Sequence, residues 1–318
     1  MQYVFGPVLS RRLGLSLGVD LLPPSKVCSM DCVYCECGKT QRQNLTLERR
    51  EWVPTEVVKR ELEEILSNPE LELDFVTFSG NGEPTLHTRF GEIAKFVKEI
   101  RPDLKVALLT NASTLWMGEV LKELKYIDLV SPSLDAVTEK VFRKVNHPVK
   151  GLTVEKVLKG LKKLKETFGG EIWIETLFVK GINDSPGEVE KIGEWIHRLK
   201  PDRWQINTVV RPPAYRVQGL TEEELIQIAR RVNYNPTDIV CYNYLRLEPK
   251  KKTEAEKVRE KLLNLVKRRP SPLGELKRAL NLTEEGFEEL IETLLREGKV
   301  ELVTYGGEKF LTSTQKGE

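Results

Sequence analysis

The fold of this chain is decided by a stretch that has the sequence DFVTFS at 74–79, TRFGEIAKFVKEI at 88–100 and KVALLT at 105–110. The first and last segments are short, and their central residues are mainly apolar with little polar alternation, as is typical of strands covered on both faces of a sheet. The middle segment repeats its apolar residues at helical spacing. A strand, a helix and a second strand in this order predict a β-α-β unit with parallel strands and a right-handed crossover.

The same alternation extends in both directions along the chain, which predicts an α/β fold with a six-stranded parallel sheet. Periodicity alone leaves open whether the sheet curves into a barrel or forms a doubly wound open sheet. The other predicted strands are Leu15–Leu22, Asp128–Ser133, Glu171–Val179 and Arg203–Val209, and the other predicted helices lie near Pro54–Leu66, Leu115–Leu124, Thr153–Phe168 and Pro186–Leu199.

The pattern changes after Val210, where Arg211-Pro-Pro interrupts the alternation, and the run Lys250–Lys252 predicts a charged linker. Beyond it, three amphipathic helices precede two short strands joined by Gly306-Gly307, a pair suited to a tight hairpin turn. This order resembles a small winged helix domain. We therefore expect two domains, at 1–249 and 250–318. The C-terminal elements are predicted at Val258–Val266, Leu273–Leu280, Phe287–Leu295, Lys299–Thr304 and Glu308–Thr312.

Composition narrows the class of protein. The 318 residues include 50 Lys plus Arg and 48 Asp plus Glu, and 40% of the residues are apolar, so a folded core is expected rather than disorder. A net charge of +2 gives no overall polycation for nucleic acid or an acidic membrane. Because no apolar run approaches the length of a membrane span and no secretory pattern opens the chain, we expect a cytoplasmic protein.

Four of the five cysteines lie in one short segment, Cys28-Ser-Met-Asp-Cys32-Val-Tyr-Cys35-Glu-Cys37. Three thiolates of a C-x3-C-x2-C loop can hold three irons of a [4Fe–4S] cluster and leave the fourth iron open. A zinc site would need a second cysteine pair further along the chain, a redox dithiol would leave two of these cysteines unused, and inert buried thiols would not cluster. The remaining cysteine, Cys241, is expected to be a buried apolar residue.

Cys37 decides what kind of iron–sulfur protein this would be. As a fourth ligand it would close the cluster, and the protein would be an electron carrier or a redox sensor. Its C-x-C spacing from Cys35 makes it difficult for both sulfurs to reach separate corners of one cluster, so we predict that Cys37 is not a ligand. The alternative remains open at this stage.

A glycine-rich loop, Phe78-Ser-Gly-Asn-Gly-Glu83-Pro-Thr, follows the second predicted strand. Together with the cysteine segment it resembles the radical S-adenosylmethionine (SAM) superfamily. The resemblance implies a partial (β/α)6 barrel, a [4Fe–4S] cluster on Cys28, Cys32 and Cys35, and SAM chelated to the open iron. The residues that it places around SAM are Tyr34, Ser79, Gly80, Gly82, Glu83, Pro84, Asn111 and Ser133.

The resemblance also implies an enzyme that cleaves SAM reductively to a 5′-deoxyadenosyl radical, with electrons from a ferredoxin- or flavodoxin-type protein. Arg211 and Tyr215, after the last predicted strand, are candidates for substrate contact, and a guanidinium suits an anionic group. The segments 5–14 and 15–24, together with Cys28–Gly38 and Gly80–His87, resemble a subgroup related to wybutosine synthesis in tRNA. A tRNA base is therefore one substrate class, beside a small metabolite and a protein residue.

The predicted winged helix offers little to DNA. Its third helix, near Thr283–Gly298, would turn five carboxylates outward, and phosphate groups would repel them. We therefore expect this domain to pack on the barrel, bind a protein or contribute to dimerisation. The five residues are Glu284, Glu285, Glu288, Glu289 and Glu292.

Overall fold

The computed structural model describes residues 2–68, 70–240 and 255–314. The predictions for Cys241, for the linker at 250–252 and for a domain boundary after residue 249 lie outside the described residues.

An eight-stranded sheet forms the centre of the molecule, and its strands follow one another in sequence order. β1 pairs antiparallel with β2, and every later pair is parallel. A doubly wound sheet reverses its strand order at a switch point, so the consecutive order rules out that alternative. Strands of a β/α barrel also follow one another in sequence order. The strands are β1 Val4–Ser10, β2 Gly14–Val19, β3 Phe75–Phe78, β4 Lys105–Thr110, β5 Leu129–Pro132, β6 Glu171–Phe178, β7 Arg203–Thr208 and β8 Thr237–Ile239.

Helices connect the parallel strands, and their apolar faces pack on the sheet. Phe78 and Trp204 from the strands and Phe90 from a helix are completely buried in this core. The predicted helices are confirmed, with a short α3 continued by a 3₁₀ turn and an unpredicted α4. The helices are α1 Thr55–Leu66, α2 Phe90–Ile100, α3 Gly118–Lys122, α4 Glu139–Val145, α5 Val154–Thr167, α6 Pro186–Leu199 and α7 Glu222–Val232.

The C-terminal part contains three helices and a three-stranded antiparallel sheet of order β10-β11-β9. It has its own apolar core, against which Phe5 and Val8 of β1 also pack, so it covers the β1 edge of the main sheet. No helix among the described residues is long and apolar enough to span a membrane. The elements are α8 Ala255–Arg268, β9 Ser271–Pro272, α9 Leu273–Leu280, α10 Glu284–Arg296, β10 Val300–Tyr305 and β11 Glu308–Ser313.

Candidate functional site

Two loops at the carboxyl ends of neighbouring strands form the candidate site. The cysteine loop, residues 26–40, follows β2, and the glycine loop, residues 79–85, follows β3. Backbone hydrogen bonds join them, since the Val27 amide donates to the Asn81 carbonyl at 3.3 Å and the Glu83 amide donates to the Val27 carbonyl at 3.1 Å. Carboxyl ends of parallel strands are where α/β folds place ligands.

Each of the three predicted ligand sulfurs faces a nitrogen donor. The Lys26 ammonium is 3.1 Å from Cys35 Sγ. The Asn111 side-chain amide is 3.4 Å from Cys28 Sγ, and the Asn146 side-chain amide is 3.3 Å from Cys32 Sγ. Donors directed at sulfur stabilise thiolates, which is the form that binds iron.

Cys37 has a different environment. Its sulfur lies 3.5 Å from the carbonyl oxygen of Gly80, an acceptor that favours a protonated thiol. Hydrogen bonding from the Cys37 thiol, together with the Lys26 ammonium, lowers the pKa of Cys35 to about 6 in spite of burial. The four cysteines of the loop therefore divide into three that face donors and one that faces an acceptor.

The donor set fits an iron–sulfur cluster. All four thiols of the loop are free of disulfides. Burial raises the pKa of Cys28 to about 12 and that of Cys32 well above its ordinary value. Iron bound to these sulfurs would take the place of the protons. Within the part of the chain that the structure describes, no three His, Cys, Asp or Glu side chains converge on one metal ion. A cluster differs from such a site because it takes each sulfur on a separate iron.

The glycine loop is held in place by Glu83, which is 1% exposed. Its carboxylate accepts hydrogen bonds from the Thr85 hydroxyl at 2.5 Å, the Thr110 hydroxyl at 2.7 Å and the backbone amide of Asn111 at 2.7 Å. Burial raises the pKa of Glu83 above its ordinary value, and these donors oppose the shift. Glu83 thus ties the end of β3 to the end of β4.

A cavity of about 330 Å³ opens beside the cysteine loop and extends into the sheet. Tyr34, Cys35, Ser79 and Gly80 line one part of it. This volume is in the range of a small-molecule site. Of the residues predicted to contact SAM, Asn111 and Ser133 line a second, much smaller cavity nearby, whereas Gly82, Glu83 and Pro84 of the glycine loop line neither of these two cavities.

Tyr34 and Asn146 meet at a buried carboxylate. The Tyr34 hydroxyl donates to Asp135 Oδ2 at 2.5 Å, and Asn146 Nδ2 donates to the same oxygen at 2.8 Å. The Leu177 amide donates to the other oxygen at 3.0 Å. Burial raises the pKa of Asp135 to about 6. Through Asn146, this network reaches the sulfur of Cys32.

The two predicted substrate residues lie in different environments. Arg211 is 6% exposed and lines the large cavity, where it forms ion pairs of 2.7 Å with Glu36 and with Glu275. Tyr215 packs against the cysteine loop, where its hydroxyl donates a hydrogen bond to the Asp31 carboxylate. A contact of either residue with substrate stays a prediction.

Sequence reasoning missed three groups at this site. Lys26 lies two residues before the first cysteine, and that proximity was a signal. Asn146 and the C-terminal Arg268 gave no local signal, because folding brings them in from distant segments. Arg268 reaches the buried Asp20 at the end of β2, with 2.5 Å between Nη1 and Oδ2.

Comparisons with known proteins agree with this geometry. Residues 22–196 match the family model of the radical SAM superfamily. A UPF0026 protein of Methanocaldococcus jannaschii is 32% identical over 315 residues, covering 98% of this chain and 95% of the relative. A UPF0026 protein of Helicobacter pylori strain J99 is 33% identical over 316 residues, covering 98% of this chain and 97% of the relative.

Among solved structures, Streptococcus suis SuiB bound to S-adenosylmethionine aligns with a TM-score of 0.50 and 18% identity. The alignment covers 67% of this chain and 46% of that chain. At this identity, the similarity shows a shared fold.

Proposed function

The chain belongs to the radical SAM superfamily of enzymes and to the UPF0026 family, and on that premise we propose that it binds a [4Fe–4S] cluster on Cys28, Cys32 and Cys35 and cleaves SAM reductively. The cluster and SAM, when bound, supply a 5′-deoxyadenosyl radical that abstracts a hydrogen atom from the substrate. We also propose that the sheet is a partial (β/α)6 barrel.

The observation that carries this proposal is the division among the four loop cysteines. Three sulfurs face the nitrogen donors of Lys26, Asn111 and Asn146, whereas Cys37 faces a carbonyl oxygen. A three-cysteine cluster keeps one iron open for SAM, and a four-cysteine cluster does not. This arrangement favours an enzyme over an electron carrier or redox sensor with Cys37 as the fourth ligand.

The chain's own residues prepare the site. Lys26 stabilises the thiolate of Cys35, because its buried ammonium contacts the sulfur directly. The backbone of Ser79 and Gly80 lines the cavity beside the cysteines, where it is available to polar groups of SAM. The sheet and the C-terminal part enclose the same cavity, which limits the access of water to a reactive intermediate.

The remaining parts of the proposal concern partners. A ferredoxin- or flavodoxin-type protein supplies the electron, and the reaction takes place in the cytoplasm, where such donors work. The substrate belongs to one of three classes: a tRNA base, a small metabolite or a protein residue. The C-terminal part is a winged helix domain beginning near residue 250, and its acidic α10 argues against DNA reading.

Spectroscopy of anaerobically reconstituted protein tests the enzyme proposal. We expect SAM to change the paramagnetic resonance spectrum of the reduced cluster and 5′-deoxyadenosine to form. An unchanged spectrum without 5′-deoxyadenosine would establish the electron carrier or redox sensor instead. Incubation with separate RNA, protein and metabolite fractions in heavy water then identifies the fraction that donates hydrogen to 5′-deoxyadenosine.

A matched pair of cysteine variants tests the ligand assignment. Cys35→Ser removes a sulfur that faces a donor, and we expect it to lose the cluster and at least 100-fold of SAM cleavage, on the order expected when a ligand is lost. Cys37→Ser should keep four irons per chain and near wild-type cleavage, as measured by iron content and product formation. Loss of the cluster in Cys37→Ser would make Cys37 a ligand.

A further inference from the structure

We infer that the outer surface of the cysteine loop is the docking surface for an acidic, one-electron carrier protein. The inference rests on the proposed function, since it concerns delivery of the electron to the cluster on this loop. The surface is marked by four exposed cations, which we call the basic rim: Lys39, Lys144, Lys150 and Arg216.

The basic rim surrounds the cysteine loop because two distant segments are hydrogen-bonded to it. The Val33 amide donates to the Val145 carbonyl at 2.9 Å, and the Val149 amide donates to the Ser29 carbonyl at 3.0 Å. On the other side, the Tyr215 amide donates to the Val33 carbonyl at 3.1 Å. Lys144, Lys150 and Arg216 directly adjoin these paired residues.

Positive charge predominates on this surface. None of the four rim cations forms an ion pair with a residue that the structure describes, and Lys39 lies over the Tyr215 ring at 4.4 Å. The neighbouring carboxylate of Asp31 is buried and hydrogen-bonded to Thr40 and Tyr215. Three further carboxylates lie near the loop: Asp135 is buried and bonded to Tyr34, Glu36 ion-pairs with Arg211 and Arg269, and Glu48 is exposed.

Proximity to the cysteines identifies the partner as an electron carrier. Val33, which is hydrogen-bonded to both rim segments, lies between Cys32 and Cys35, so the segments that carry the rim contact the loop of the cluster ligands directly. Unpaired cations attract an acidic protein and accelerate its encounter with the surface. The carrier is oxidised by one electron, and the cluster is reduced by that electron.

Two observations disfavour RNA as the occupant. Bases stack on open aromatic faces, but Lys39 covers Tyr215 and His147 packs edge-on at 5.3 Å between ring centroids. The large cavity, which a reacting base would have to enter, is lined by residues 34–37 of the cysteine loop and otherwise by the sheet and the C-terminal part. The rim residues are not part of its described lining.

The test compares two fourfold charge-reversal variants of the reconstituted protein. The rim variant carries Lys39→Glu, Lys144→Glu, Lys150→Glu and Arg216→Glu. The control variant makes the same charge change at exposed lysines on α5 and α6. These are Lys159, Lys162, Lys165 and Lys191.

Two quantities are measured at low salt with an acidic [4Fe–4S] ferredoxin: its dissociation constant with the oxidised protein and the rate of cluster reduction by stopped-flow absorbance. In the rim variant we expect the dissociation constant to rise and the reduction rate to fall, each by at least about tenfold. In the control variant each should change by less than about threefold. The wild-type rate should fall steeply with ionic strength, and the rim variant's rate should not.

Photoreduced deazaflavin, a neutral small reductant, separates this inference from the proposed function. With it, all three proteins should form 5′-deoxyadenosine at the same rate, which also shows that each variant is folded and loaded. If ferredoxin reduces the rim variant as fast as wild type, the docking inference is wrong although the enzyme proposal stands. Unchanged ferredoxin reduction with lost binding of labelled tRNA would assign the rim to RNA.

Discussion

At the scale of single residues, the polar groups around the cysteine sulfurs determine what the loop can hold. Buried thiols without donors stay protonated, and burial raises the pKa of Cys32 well above its ordinary value. The Asn146 amide opposes this effect at one sulfur, as Lys26 does at Cys35. Hydrogen bonds to ligating sulfurs also raise the reduction potential of a cluster, because they stabilise its more negative, reduced state.

Replacement of Asn146 tests this role. We expect Asn146→Leu to lower the midpoint potential of the cluster by about 40 mV, which corresponds to the loss of one hydrogen bond worth about 1 kcal/mol. A redox titration followed by paramagnetic resonance measures the shift.

Tyr34→Phe is the matched control for that variant. It also removes a hydrogen bond to Asp135, but it leaves the bond from Asn146 to Cys32 in place. Its midpoint potential should stay within about 10 mV of wild type, since no donor to sulfur is lost. Equal shifts in the two variants would contradict a direct effect at the sulfur.

At the scale of structural elements, the cysteine loop and the glycine loop form one unit. Gly82 has a φ of +146°, and a Cβ there would lie 1.8 Å from the Val27 carbonyl oxygen. That carbonyl accepts the hydrogen bond from Glu83 that joins the two loops. The close approach of the backbones therefore depends on glycine at this position.

Gly82→Ala should separate the two loops, because neither the backbone angle nor the space accommodates a methyl group. We expect a loss of at least about 2 kcal/mol in the free energy of unfolding, measured in urea. Gly118→Ala is the control, since no atom lies within 4 Å of a Cβ built there. It should be neutral or stabilising by up to about 1 kcal/mol. Equal effects would show that Gly82 is not constrained.

Comparison of elements shows where sequence reasoning succeeds. Strands β2 to β7 alternate with amphipathic helices along the chain, and each was predicted to within about three residues. β1 was missed because Gly6-Pro7 interrupts its apolar pattern, and it pairs only at the sheet edge through a register shift. β8, with three residues, is too short to show a period.

The candidate site was predictable only where it is local in sequence. The cysteine spacing and the glycine loop are local motifs. The donors to sulfur are not, since Asn146 lies 114 residues from Cys32. Sequence also suggested Arg211 as an open anion-binding group, whereas the structure places Glu36 and Glu275 against it. Partners of this kind depend on tertiary packing, which spacing does not reveal.

At the scale of the whole molecule, the C-terminal part is tied to the cysteine loop by a network of ion pairs, of which the pair between Arg211 and Glu275 is buried. Arg211 and Arg269 both contact Glu36, which lies between Cys35 and Cys37, and both contact Glu275 of α9. Burial opposes ionisation of these carboxyls, but the two arginines outweigh it and hold the pKa of each below its ordinary value. The loop and the C-terminal part are therefore expected to unfold together at neutral pH.

Glu275→Gln tests this coupling and its dependence on pH. At pH 7 the variant leaves Arg211 with one counter-charge fewer, and we expect a loss of about 3 kcal/mol in the free energy of unfolding. The pKa of Glu275 is lower in the folded than in the unfolded chain, so its contribution is present above the ordinary value of 4.5 and is lost as the pH falls. The difference in the free energy of unfolding between wild type and variant, measured in urea at several pH values, should therefore become smaller below pH 4.5.

Glu289→Gln, at an exposed site on α10, is the control and should change the free energy of unfolding by less than about 0.5 kcal/mol at every pH. If the difference between wild type and Glu275→Gln stayed constant below pH 4.5, the Glu275 side chain would stabilise the fold by packing and not by its charge.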